Sequence, residues 1–74
     1  SLTTYKNKLP HESLSDREFE VFKLLATGKK VSFIAQQLSL SITTVSTYRA
    51  RILEKMNMHS NSELTRYAIE HGLI

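Results

Sequence analysis

Apolar side chains recur at three- and four-residue intervals along most of the chain, and no stretch alternates with the two-residue period of a strand. In "LSDREFEVFKLLATG" the stripe runs through Phe19, Phe22 and Ala26 and is widened by Val21, Leu24 and Leu25. Ser15 with Glu18 three residues later forms a capping box, Leu14 is placed to staple onto Phe19, and Gly28 supplies a stop, so a helix is predicted over about 16–27. "KKVSFIAQQLSLS" predicts a shorter helix over about 31–38, with Ile34, Ala35 and Leu38 inward. Its start is weakly marked, because Ser32 could cap it but Val31 and Phe33 crowd that position. Ser41 caps a third helix over about 42–57, where Val45, Tyr48, Arg49, Ile52, Leu53 and Met56 keep the helical period on one side. Ser60 and Glu63 form a second capping box ahead of "NSELTRYAIEHG", in which Leu64, Tyr67 and Ala68 point inward and Gly72 ends the helix. On its outer side Glu63–Arg66 and Arg66–Glu70 pairs are expected to add a few tenths of a kcal/mol each. Residues 1–13 show no period and hold the only proline, Pro10, so they read as a linker or tail stiffened at its end. The prediction is an all-α domain over 14–74, four helices without a sheet.

The third helix is built unevenly. Ile42, Thr43, Thr44, Val45, Ser46 and Thr47 are mediocre helix formers, whereas Tyr48 is followed by Arg49, Ala50, Arg51, Leu53, Glu54, Lys55 and Met56, mostly good ones. Helix stability alone does not select such a beginning. The connection before it, "LSLS", is also very short, and two helices joined this tightly usually cross steeply. Ala35 is a small residue that permits close crossing, Ser39 four positions on stands at the bend, and Val45 is a branched aliphatic ten positions after Ala35. Ile34, Leu38, Leu40 and Tyr48 fill the supporting apolar positions. This is the spacing of a helix-turn-helix, in which a positive φ is expected at Ser39 at a cost of about 1 kcal/mol. The second helix of such a motif enters the major groove with its N-terminal residues, and bulky side chains there would hold the backbone off the bases. Thr43, Thr44, Ser46, Thr47 and Ala50 are short enough to avoid that. Their hydroxyls can bond phosphates or base edges, their methyls can touch thymine methyls, and Arg49, Arg51 and Lys55 follow where phosphates would lie.

Charge sharpens this picture. The chain has 74 residues and a net charge of +3, but residues 28–58 alone carry +4, from Lys29, Lys30, Arg49, Arg51 and Lys55 against Glu54. A basic middle with mildly acidic flanks fits a nucleic-acid surface, and it also fits a small helical protein-interaction module with a basic face. Seventy-four residues make one small domain, burying about 60% of its unfolded surface. Because the chain has no cysteine, a disulfide framework and thiolate metal sites are excluded. With no long apolar run and no signal-peptide pattern, a soluble, cytoplasmic protein without membrane contact is expected. Catalysis finds no support. His11, His59 and His71 lie in the linker, a loop and a helix end without metal-ligand spacing, and His71 is better placed to serve the negative end of its helix. No nucleophile motif occurs, and two glycines make no phosphate loop. A non-enzyme without metal or cofactor is expected.

Taken together, "LSDREFEVFKLLATGK", "IAQQLSLSITTVSTYRARILEKMN" and "ELTRYAIEHGLI" resemble the LuxR/FixJ/NarL type of helix-turn-helix found at the C-terminus of bacterial response regulators. The likeness spans residues 14–74, and "TVSTYRARILEKMN" looks most like the regulators of two-component systems. It implies a four-helix fold whose third helix reads bases from Ser46, Thr47 and Ala50, with phosphates held by neighbours such as Thr44, Tyr48 and Arg51. It further implies a C-terminal piece of a longer regulator, with a phosphorylated receiver domain upstream. Homodimers on paired half-sites would then meet through the last helix, where Thr65 and Ile69 sit one turn apart and away from Leu64 and Ala68. RNA polymerase is a further candidate partner. Two departures stand out. Many members carry lysine where this chain has Ser46, and "KVSFIA" replaces the usual "SNKEIA", leaving Phe33 either as an exposed apolar spot or folded onto the core edge.

Overall fold

The computed structural model describes residues 9–74, so the part of the expected linker before Leu9 lies outside the described residues. Four helices follow one another: α1 (Asp16–Ala26), α2 (Val31–Leu38), α3 (Ile42–Met56) and α4 (Asn61–Glu70). No strand occurs among the described residues. α1 packs against α3 and α4, and α2 packs against α3. Val21, Phe22, Leu25, Ile34, Val45, Ile52 and Leu64, drawn from all four helices, are fully buried. Phe19 and Leu24, assigned to the inner stripe by spacing, are only partly covered and flank this core.

The helix ends follow from local chemistry. Ser15 accepts from the Glu18 N–H while the Glu18 carboxylate accepts from the Ser15 N–H, which is the predicted capping box. α2 has no such device: Lys30 is its N-cap without a side-chain bond, and Ser32 lies inside the helix. At α4, Ser60 caps the Glu63 N–H as expected, but the Glu63 carboxylate reaches one residue further back, to the His59 N–H at 2.8 Å. That carboxylate forms no ion pair with Arg66, which is joined instead to Glu70 at 3.4 Å.

The α2–α3 turn has the backbone that the spacing predicted. Ser39 sits in the left-handed region at φ 58° and ψ 44°, and the Leu40 N–H returns to the Ala35 carbonyl at 2.8 Å. A serine held there strains its Cβ. Ser39→Gly is therefore expected to raise stability by about 1 kcal/mol, seen as a higher urea midpoint at unchanged slope.

Two long-range ties were not legible in the periodicity. Glu18 is only 3% exposed, and besides its capping role it accepts from Lys55 Nζ at 2.8 Å. One carboxylate thus joins the start of α1 to the last turn of α3. The lysine hydrogen bond, with help from the Ser15 N–H, lowers the Glu18 pKa against the opposing effect of burial. The second tie lies at the N-terminal edge. Pro10–Ser13, expected as the end of a linker, forms a turn of 3-10 helix, and His11 Nδ1 meets the Tyr67 hydroxyl at 2.6 Å. His71 stacks on the same tyrosine, with ring centroids 4.0 Å apart, and its Nδ1 bonds the Tyr67 carbonyl at 3.0 Å, the helix-end role expected of it. Residues 10–13 are therefore packed onto the domain rather than trailing from it.

Candidate nucleic-acid interface

α3 is seated by its rear face. Val45 and Ile52 are fully buried and Met56 is buried nearby, which fixes the rotation of the helix about its axis. Its opening is set by Ser41, whose hydroxyl accepts from the Thr44 N–H at 3.0 Å and donates to Thr44 Oγ1 at 2.8 Å. With the rear anchored, Thr43, Ser46, Thr47, Ala50 and Arg51 are exposed, and Thr44 and Tyr48 are half-buried at the flank. Thr43, Thr44, Thr47, Tyr48 and Arg51 line one shallow surface concavity. Ser46 and Ala50 follow one another by one turn on its other side.

The hydroxyls are partly committed, and this decides what they can offer. Thr47 Oγ1 donates to the Thr43 carbonyl at 3.1 Å, so its lone pairs remain for an outside donor such as a base amino group. Thr44 Oγ1 accepts from Ser41 and keeps its proton for an acceptor such as a phosphate oxygen. The Ser46 hydroxyl makes no hydrogen bond among the described residues and is free to donate and to accept. Arg51 has no carboxylate partner among the described ion pairs, and its charge faces solvent.

Other expected residues are engaged inside the protein. Lys55, expected at the phosphates, is held by Glu18. Arg49, placed with it by sequence, donates from Nε to Asn61 Oδ1 at 2.9 Å and ties α3 to the first turn of α4. Thr65, grouped with Ile69 as a contact between protomers, is half-buried and donates to the Ala26 carbonyl at 2.8 Å, so its hydroxyl serves the α1–α4 packing. Ile69 is 63% exposed and shares a shallow, mostly apolar surface with Ser62, Thr65, Arg66 and Glu70. Phe33 is the exposed spot rather than a core edge: it is 43% accessible, with Lys29 Nζ 5.3 Å from its ring centroid. No cluster of three or more potential metal ligands occurs among the described residues, and none of their helices is long and apolar enough to cross a membrane.

A helix anchored by Val45 and Ile52, entered through a left-handed turn at Ser39 and presenting short polar side chains outward, defines a helix-turn-helix DNA-binding domain. The family model for bacterial regulatory proteins of the luxR family matches residues 12–68, and the chain belongs to that family. It is 46% identical over 68 residues to the response regulator UvrY of Escherichia coli K12, covering 92% of this chain and 31% of that protein. It is 43% identical over 65 residues to the response regulator GacA of Pseudomonas aeruginosa, covering 88% of this chain and 30% of that protein. Among solved structures, full-length FixJ from B. japonicum superposes with a TM-score of 0.78 at 37% identity, over 88% of this chain and 32% of that one. The chain spans about a third of the length of these relatives. The relatives it matches by name are response regulators, and the part shared with them is this helix-turn-helix domain.

Proposed function

We propose that this domain recognises a specific double-stranded DNA sequence by laying the first half of α3 in the major groove. The observation that carries the reading is the outward display of Thr43, Ser46, Thr47 and Ala50 directly over the buried anchors Val45 and Ile52. In this reading Ser46, Thr47 and Ala50 meet base edges, while Thr43, Thr44, Tyr48 and Arg51 hold the phosphates beside them. Lys55 contributes to the field near the duplex but directs its ammonium toward Glu18. The whole protein is a longer response regulator, with a phosphorylated receiver domain ahead of this one and RNA polymerase as its downstream partner, working in the cytoplasm. Its relatives' names support the receiver, and their greater length leaves room for it.

The test is a binding titration of the full-length protein on duplexes recovered from a random pool. Affinity should fall steeply between 50 and 200 mM salt, on the order of tenfold or more, through counterion release. Failure to bind any duplex at low salt would overturn the reading and favour a basic protein-interaction module. Pairing of protomers on adjacent half-sites is assigned to Ile69, whose large exposed side chain has no cover in the monomer. Ile69→Arg should lower occupancy of paired half-sites several-fold more than that of a single one in a gel-shift comparison; equal losses would remove α4 from the contact.

A further inference from the structure

We infer that Ile42 is a specificity-determining residue that packs against the C5-methyl group of a thymine at the edge of the half-site. This rests on the proposed placement of α3 in the major groove. Ile42 is the first residue of α3 and is 56% exposed, and it is the only large apolar side chain left open on that helix. Neither local structure nor packing calls for isoleucine there. The first helical position asks only for a residue whose N–H needs no intrahelical acceptor, and β-branched residues are weak helix formers. The capping at Ser41 and Thr44 proceeds without it, and the core is closed by Val45 behind it.

Its position gives it a partner. Ile42 precedes Ser46 by one turn and Ala50 by two, so the three lie along one strip of the helix surface. The strip therefore begins with an aliphatic group at the helix end that contacts base edges in this motif. In the major groove a purely aliphatic side chain gains nothing from the hydrogen-bonding edges of guanine, adenine or cytosine. Thymine alone presents a methyl group there. Covering one methyl group with Ile42 removes about one carbon's worth of apolar surface from water, equivalent to about four-fold in affinity.

Deoxyuridine differs from thymidine only by that methyl group, which makes the test direct. In the best duplex selected by the full-length protein, each thymidine is replaced in turn by deoxyuridine, and binding of the native protein is compared with that of Ile42→Ser. One symmetry-related position per half-site should lose about four-fold with the native protein. Ile42→Ser should lose as much on the unmodified duplex and be indifferent to the deoxyuridine at that position alone, keeping its sensitivity elsewhere. If the variant keeps the native deoxyuridine profile at every position, or weakens on specific and random duplexes alike, Ile42 reads no methyl group and the assignment falls. Absence of binding to any duplex by the native protein would instead overturn the broader DNA reading, and this one with it. Circular dichroism of the variant distinguishes lost contact from lost fold.

Discussion

Thr47→Glu is expected to abolish specific DNA binding, weakening it by at least about 100-fold in a fluorescence-anisotropy titration, while leaving the domain folded. Thr47 is exposed in the middle of the proposed reading face, and its side-chain hydrogen bond goes to the Thr43 carbonyl within the same helix. A carboxylate at that point would sit against phosphates and base acceptors in a water-poor groove, where like-charge juxtaposition costs several kcal/mol. Glutamate is also the better helix former, so the thermal midpoint should hold or rise slightly. Thr47→Ser keeps the hydroxyl and should lose only a few-fold. Operator protection by Thr47→Glu at native concentrations would remove α3 from the groove.

The second large effect is on stability. Glu18→Ala should cost about 3 kcal/mol, because it removes a capping carboxylate and leaves Lys55 without its partner. At about 0.05–0.15 kcal/mol per residue, that is a large share of what a domain this size possesses. Chemical denaturation at neutral pH checks it. The acid limb gives an independent reading of the same group. The folded-state pKa of Glu18 is lowered below its ordinary 4.5, first by the Lys55 hydrogen bond and then by the Ser15 N–H. The carboxylate therefore stabilises the fold fully above the unfolded-state value, and that stability is lost as pH falls through the folded-state value. The native domain should thus lose stability on acidification below about pH 4.5 more steeply than Glu18→Gln, whose amide can still accept from Ser15 but does not titrate. Parallel acid limbs for the two proteins would show that the charge at Glu18 contributes nothing.

Local rules carried much of this structure. The apolar period, three serine caps and the Ala35–Ser39–Val45 spacing placed all four helices to within a residue, and they anticipated the left-handed backbone at Ser39. The same spacing assigned Thr43, Ser46, Thr47 and Ala50 to an open face, because the inward positions of an anchored helix define its outward ones. What escaped were ties between residues far apart in the chain. Glu18 was legible as a cap but not as the partner of Lys55, 37 positions away, since that contact depends on how α1 and α3 cross. The bonds from Arg49 to Asn61 and from Thr65 to the Ala26 carbonyl escaped for the same reason: a polar residue on a helix flank reads as unpaired until a neighbouring helix is in place. The four residues from Pro10 to Ser13 are too few to show a period, and their anchor, Tyr67, lies 56 positions from His11.

The smallness of the side chains on the front of α3 has a thermodynamic consequence. Alanine has no rotamer to lose, and serine and threonine have few, whereas a lysine or arginine reader surrenders up to about 2 kcal/mol of side-chain freedom when it docks. With the backbone already locked from behind by Val45 and Ile52, this edge meets the double helix almost fully organised. It forgoes the two-pronged grip on guanine available to longer cationic readers. In the proposed complex, discrimination would then rest on closeness of fit, with methyl groups and single hydroxyls telling one sequence from another.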